Sequence, residues 1–275
     1  MRAGFALPGE VLVMSALASK RPLSIRWLGH GTFLLTSPAG KRILIDPWLT
    51  DNPSCPPDCK KIEQLDLILV THGHVDHIDD ALSVGRATRA PIIGVFEICA
   101  WLERKGLQLL MPMNKGGTLS VVGIEIAMVH ADHSSGYVDD GRMIYLGEPV
   151  GYVLRFEDGL TVYFAGDTAL FGDMRLIKEL YAPRIAFLPI GDRFTMGPES
   201  AALACDVLGV RQVVPMHYGT FPVLTGTPAR LRELVEPRGV AVLELKPGET
   251  RYESRESGLG SRGSGSGIRD LGSGP

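Results

Sequence analysis

The sequence predicts an α+β protein in which two β-sheets pack face to face and helices cover their outer sides. Short β-branched and aliphatic runs bounded by Gly, Pro, Asp and Asn come in an early and a late block, the pattern of two sheets. Helix-length segments alternate with the later runs, and such helices must bury one side against a sheet. Clusters of His and Asp stand just past the ends of several apolar runs, and strand ends are where α/β proteins gather their sites.

In chain order, residues 1–23 read as a non-exported leader, because Pro8, Gly9 and Glu10 interrupt any signal-peptide core of about 7 to 15 apolar residues; Met14 is a second candidate start. The runs S-I-R-W-L, F-L-L-T and R-I-L-I-D lie close enough for antiparallel hairpins. L-D-L-I-L-V and P-I-I-G-V follow, with helices expected from Asp79 to Thr88 and from Phe96 to Lys105. A hairpin-like region runs from Thr118 to Val129, and G-Y-V-L-R-F-E-D-G-L-T-V-Y-F-A is a second hairpin with an explicit E-D-G turn. A-F-L-P-I, Q-V-V-P-M and A-V-L-E-L then alternate with helices expected from Asp173 to Leu180, Pro198 to Leu208 and Pro228 to Val235. Pro198 and Pro228 fit first helical positions, where proline loses no needed hydrogen bond. One domain is expected over residues 24–252, and the Gly, Ser and Arg tail over 253–275 reads as a flexible linker or an expression remnant.

Composition narrows the function. With 45% hydrophobic and 21% charged residues and a formal net charge of -3, the chain reads as a soluble globular protein with no nucleic-acid partner. Its apolar runs fall far short of the roughly 20 residues needed to span a bilayer. Four scattered cysteines form no disulfide framework and point to a reducing, cytoplasmic location. Cys55 and Cys59 in C-P-P-D-C have the wrong spacing for a typical thiolate pair and are read as bystanders in a stiff loop.

T-H-G-H-V-D-H-I-D-D, Thr71 to Asp80, holds three of the seven histidines and three aspartates. Random order would give H-x-H-x-D-H with a probability on the order of 10⁻⁴, and helix capping explains one Asp and no histidines. In an extended segment His72 and His74 point to the same side, so one ion can take both. Asp76 and His77 follow where the chain begins to turn into a helix, and they aim at a neighbouring point. His133, Asp167 and His217 each follow another apolar run. With His133 completing the first site, His217 the second and Asp167 between them, the ligands of a two-metal centre are present. Imidazole and carboxylate together suit zinc, with manganese or iron as alternatives. Such a centre lowers the pKa of bound water and makes a bridging hydroxide nucleophile.

With A-D-H-S-S, A-G-D-T and M-H-Y-G-T added, the motif resembles the metallo-β-lactamase superfamily. W-L-G-H-G-T-F, I-D-P-W-L-T-D-N-P and P-I-G-D-R-F-T-M-G-P are similar to segments of its metal-dependent hydrolases related to ascorbate-6-phosphate lactonases. The resemblance implies a four-layer αββα sandwich with the metal crevice along one edge. It implies His72, His74 and His133 for the first ion, Asp76, His77 and His217 for the second, and Asp167 as bridge. Homo-oligomers are plausible on the same ground. The stretch from Ser135 to Glu148 departs as a longer loop. The glyoxalase II extension and the inserted nuclease domain of the RNA-processing branch are not seen.

His133, beside Ser134 and Ser135 and past the strand end, is preferred to His130 as ligand. His30 in L-G-H-G-T is a candidate catalytic group for substrate or proton transfer, or an orienting group, against a turn role. Asp76 and His217 join it as candidate catalytic residues. Asp46 ends a strand and is expected to orient a ligand histidine. Arg193 and Thr195 before a helix, and Tyr218 beside His217, are candidate substrate contacts, against a solvated loop and packing. The expected activity is hydrolysis of a lactone, ester or phosphoester in a small-molecule substrate. The rivals are phosphodiester or phosphotriester cleavage as the main activity, an iron-dependent oxidoreductase like a sulphur dioxygenase, and a metal-dependent binding protein without turnover.

Overall fold

The computed structural model describes residues 21–254; the expected leader up to Lys20, the second start at Met14 and the tail from residue 255 lie outside the described residues. The chain opens with β1 (Leu23–Trp27), β2 (Phe33–Thr36), β3 (Arg42–Ile45), β4 (Leu67–Leu69), the one-turn α1 (Val75–Ile78), α2 (Ala81–Thr88), β5 (Ile92–Val95), α3 (Phe96–Arg104) and β6 (Leu110–Met113). It continues with β7 (Thr118–Val121), β8 (Ile124–His130), β9 (Gly136–Asp139), β10 (Arg142–Tyr145), β11 (Val150–Arg155), β12 (Thr161–Phe164), α4 (Met174–Tyr181) and β13 (Ile185–Pro189). α5 (Pro198–Leu208), β14 (Gln212–Met216), α6 (Pro228–Val235), β15 (Ala241–Val242) and β16 (Thr250–Glu253) complete it.

Two seven-stranded sheets result, in the orders β16-β1-β2-β3-β4-β5-β6 and β15-β14-β13-β12-β11-β8-β7. Each is antiparallel on one side and parallel on the other, with β3 to β6 and β12 to β15 as the parallel portions. Parallel strands need crossover connections, and α2, α3, α4, α5 and α6 lie in or after those crossovers.

The period of two along each strand separates the layers. Ile43 and Ile45 face the opposite sheet, whereas Leu44 between them faces the helices. Phe164 and Tyr163 divide in the same way on the second sheet. Phe33, Phe164 and Phe187 meet at the centre, with the Phe33 and Phe187 rings edge to face at 5.0 Å. On the outside, Ile98, Trp101 and Leu102 of α3 cover the first sheet, and Met174, Cys205 and Leu231 cover the second. The layers are therefore helix, sheet, sheet, helix, the expected αββα sandwich.

Several local expectations change. L-M-P-M forms β6, which was not expected as a strand; Pro112 is tolerated because β6 is a sheet edge, where one ladder donor is dispensable. The stretch from Ser135 to Glu148 is not a plain loop but contains the β9–β10 hairpin, closed by Asp140 and Gly141 at φ 49° and 74°. Positive φ at both positions is the geometry that an Asp-Gly pair favours in a two-residue hairpin. A-V-L-E-L gives a strand only over Ala241–Val242, and the helix expected from Asp79 begins at Ala81, after the separate turn α1. α5 and α6 begin on Pro198 and Pro228 as expected. All four cysteines are buried and unpaired. No helix among the described residues is long and apolar enough to cross a membrane.

Candidate metal centre

β3 and β4 are parallel neighbours, so their carboxyl ends fall together. Just past them, Asp46 accepts hydrogen bonds from the Thr71 amide and hydroxyl, both at 2.7 Å, and from His77 Nδ1 at 2.8 Å. Those bonds fix two tautomers. The Thr71 hydroxyl spends its proton on Asp46, so its oxygen accepts from His72 Nδ1 at 3.0 Å and the lone pair of His72 stays on Nε2. By the same logic the His77 Nδ1 proton points to Asp46, and its Nε2 looks the other way.

The extended T-H-G-H segment brings His72 Nε2 within 3.0 Å of His74 Nδ1, and His133 Nε2 arrives from beyond β8 to lie 3.3 Å from the same nitrogen. Ring nitrogens of these three residues fall within 4.8 Å of one another. α1 turns Asp76 and His77 toward a second point, shared with His217 past β14 and with His30 past β1; ligand atoms of these four also lie within 4.8 Å. Asp167, past β12, stands between the groups. Its Oδ2 lies 3.0 Å from His217 Nε2, 3.4 Å from His77 Nε2, 3.7 Å from His133 Nε2 and 4.0 Å from His72 Nε2.

Backbone strain accompanies the convergence. His30, Asp46 and His217 all have positive φ, at 55°, 50° and 56°. Non-glycine residues rarely sit there; each costs about 1–3 kcal/mol and persists only where the surroundings impose it. The surroundings do so: the His30 carbonyl accepts from Trp27 Nε1 at 2.9 Å and from the His217 amide at 3.1 Å. Gly191 is required beside them, since a Cβ there would fall 2.0 Å from the His217 carbonyl oxygen.

Burial and charge set the protonation. Burial holds His72 well below its ordinary value, which keeps it neutral and able to ligate. Burial raises Asp167, but facing His217 and His77 outweigh this and hold its carboxyl well below the usual range. Burial also opposes charge on His217, yet the adjacent Asp167 carries its pKa up to about 9. His77 Nε2, Asp167 Oδ1 and His217 Nδ1 are buried with no hydrogen-bond partner. Each such orphan costs about 1–3 kcal/mol, and a cation at this point would give a partner to His77 Nε2 and the Asp167 carboxylate; His217 meets the group through Nε2, so its Nδ1 points away. An imidazole and carboxylate donor set without sulfur fits zinc, manganese or iron.

His30 is fully buried with its Nε2 2.9 Å from Asp76 Oδ2 and its Nδ1 2.9 Å from Thr220 Oγ1. Burial and then His217 push its pKa down to about 4. A neutral ring facing an ionised Asp76 carries its proton on Nε2, so the Thr220 hydroxyl donates to Nδ1. Thr220, Thr71 and Ser135 are site residues that sequence reasoning missed; Ser135 Oγ accepts from the Gly73 amide at 3.0 Å. The one available signal was a hydroxyl residue close to each histidine.

The other candidates fall elsewhere. His130 is exposed, edge-on to Phe171 and 3.4 Å from Lys115 Nζ, apart from the group that His133 joins. Tyr218 stacks on Trp27 with ring centroids 5.1 Å apart and packs, partly buried, against the apolar core. Burial raises its hydroxyl well above the ordinary value. Arg193 is exposed, its guanidinium 5.7 Å from the Phe194 ring, and the Thr195 hydroxyl donates to the Met196 carbonyl.

A family model described as beta-lactamase superfamily domain matches residues 41–218. A UPF0173 metal-dependent hydrolase of Koribacter versatilis (strain Ellin345) is 49% identical over 228 residues, covering 83% of this chain and 97% of that protein. A UPF0173 metal-dependent hydrolase of Rubrobacter xylanophilus is 52% identical over 228 residues, covering 82% and 94%. The solved structure of Igni18, a metallo hydrolase from Ignicoccus hospitalis KIN4/I, superposes with a TM-score of 0.74 at 39% identity, covering 83% of this chain and 97% of that one. With the αββα sandwich, the clustered histidines and this match across nearly the whole length of those relatives, the chain belongs to the β-lactamase superfamily and, within it, to the UPF0173 metal-dependent hydrolase family.

Proposed function

We propose that the protein is a metal-dependent hydrolase of lactones or carboxylic esters. In this reading His72, His74 and His133 hold one divalent ion, Asp76, His77 and His217 a second, and Asp167 serves both. The observation that carries it is Asp167 Oδ2 within 4.0 Å of imidazole nitrogens from both groups. Two ions in such a site supply Lewis acidity and water acidified towards neutral pH.

The chain's own residues prepare that chemistry. Asp46 and Thr71 hold the protons of His77 and His72 on Nδ1, leaving Nε2 free to ligate. His30, its Nδ1 held by Thr220, keeps its Nε2 proton on Asp76 and so fixes that carboxylate's orientation. Ester or lactone ranks above phosphoester because the cavity touching His74 and Asp76 is otherwise lined by uncharged side chains. Phosphoester cleavage is the second reading; its support is weaker, since the Arg193 guanidinium lines a separate cavity with Phe194, Val223 and Thr225, where Asp192 stands beside it.

The test is metal content of the purified protein together with turnover of a lactone, carboxylic ester and aryl-phosphate panel. Turnover is measured after chelation and again after return of zinc, manganese or iron. Close to two ions per chain and chelator-sensitive ester or lactone turnover is the expected result. One iron with oxygen uptake, or metal without turnover, would overturn it.

A further inference from the structure

The β9–β10 hairpin stands beside the candidate metal centre and carries an unusual outer face. Val138 and Met143 are directly paired across it, so they share one face, whereas Tyr137 and Ile144 share the other and pack on the helix-covered core. A solvent-facing strand pair is ordinarily polar. Here Val138 is 58% exposed and Met143 72%, and Val75 in the motif itself is 56% exposed. These side chains, with Gly136 and Tyr137, line an open cavity of about 390 Å³ whose remaining lining is His74 and Asp76. A molecule filling it therefore touches two residues of the centre. Those two aside, the lining carries no charged group.

The hairpin is held in place rather than free to swing. At its root the Gly73 amide donates to Ser135 Oγ at 3.0 Å, and Ser134 Oγ lies 3.4 Å from His74 Nε2. On its other face the Tyr137 hydroxyl donates to Asp79 at 2.7 Å, and Asp139 accepts from Trp101 Nε1 at 3.0 Å and Lys105 Nζ at 2.6 Å. The wall thus has a fixed position relative to His74, which suits selection by length.

We propose that the Val138 and Met143 face of this hairpin, with Val75, binds an uncharged alkyl chain attached to the carbonyl of the substrate. The proposal rests on the hydrolase reading and adds the substrate class: medium-chain acyl esters or alkyl-substituted lactones. Burial of each further methylene against the wall strengthens binding by about fourfold until the cavity is full.

The test uses the full chain loaded with zinc and a series of linear hydroxamates from acetyl to octanoyl, titrated by calorimetry. Affinity should climb about fourfold per methylene over the first members. The slope should fall by half or more in Val138→Ser with Met143→Ser, and partly in Val138→Thr, which keeps the shape of an exposed strand residue if the double variant folds poorly. The Met143 methyl resonance should move with hexanoyl and not with acetyl hydroxamate. A flat series, absence of binding, or an undiminished slope in both variants would overturn the proposal. So would variants that keep the slope but turn a dimer into a monomer in sedimentation, since the face would then join copies of this chain. Esters cleaved without chain-length preference would remove the wall and leave the hydrolase. A steep hydroxamate series in a protein that cleaves no ester would remove the hydrolase and leave an alkyl-binding face.

Discussion

Asp46 Oδ2 accepts a hydrogen bond from His77 Nδ1 at 2.8 Å, and neither side chain exposes any surface. The pair ties the end of β3 to α1, so the carboxylate governs a ligand it does not replace. In Asp46→Asn the shape survives but one oxygen becomes a donor. We expect metal affinity to fall 10- to 100-fold, measured by competition with a chromogenic chelator. Wild-type affinity in the variant would show that Asp46 only supports the fold.

Asp167→Ala removes the oxygen nearest to nitrogens of both groups. Metal should bind more weakly and activity should fall to background, whereas His130→Ala, on the exposed side near Phe171 and Lys115, should keep metal content and activity near wild type. Elemental analysis and turnover on both variants decide; equal losses would mean that the wrong histidine has been assigned.

Chelation should lower thermal stability. Buried His77 Nε2 and the buried Asp167 carboxylate gain a ligand bond when a cation binds, so binding is linked to folding. At free metal 100 times the dissociation constant, the stabilisation is about 2.7 kcal/mol. Melting curves across a zinc titration should shift upward continuously; a melting temperature indifferent to chelator would refute a centre that binds in the folded state.

His30 gives a pH dependence with a definite sign. Its folded pKa is down to about 4 from 6.5, chiefly through burial, so the unfolded chain takes the proton first. The neutral ring's contribution is fully present above pH 6.5 and is lost as pH falls from there towards 4, amounting to about 3 kcal/mol at 1.36 kcal/mol per unit. In metal-free protein, wild type should lose stability relative to His30→Gln across that window, measured by urea unfolding. Parallel curves would show that His30 titrates normally.

Gly191→Ala should be among the most damaging single-methyl changes. Its Cβ would meet backbone, 2.0 Å from the His217 carbonyl oxygen, and cannot be relieved by a side-chain rotation. We expect reduced soluble yield and, in what folds, loss of metal; Gly172→Ala, with nothing within 4 Å of its Cβ and no positive φ, serves as the comparison for metal content. Normal metal binding in Gly191→Ala would show that the loop can yield.

Much of the fold was legible because single residues announce it. Pro198 and Pro228 mark two helix starts, and T-H-G-H-V-D-H compresses three histidines and an aspartate of the centre into one segment whose geometry changes from extended to helical midway. β6 was hidden because a proline inside a four-residue run argues against a strand until its edge position is known. The β9–β10 hairpin had its Asp-Gly signal, but its exposed apolar face broke the expected alternation of buried and solvated positions. Thr71 and Thr220 were not legible as partners of His72 and His30, since a hydroxyl acts through a distance that only the folded chain defines.

The converging residues come from both sheets: His72, His74 and His77 follow β4, whereas His133, Asp167 and His217 follow strands of the other. Neither triad is complete in one sheet. During synthesis the early histidines leave the ribosome long before their partners, so firm metal capture has to await docking of the second sheet. Metal occupancy is then a count of finished molecules. A cavity cut in the core between the sheets, as in Phe187→Ala, should surface first as missing metal, before any change in the shape of the circular dichroism spectrum.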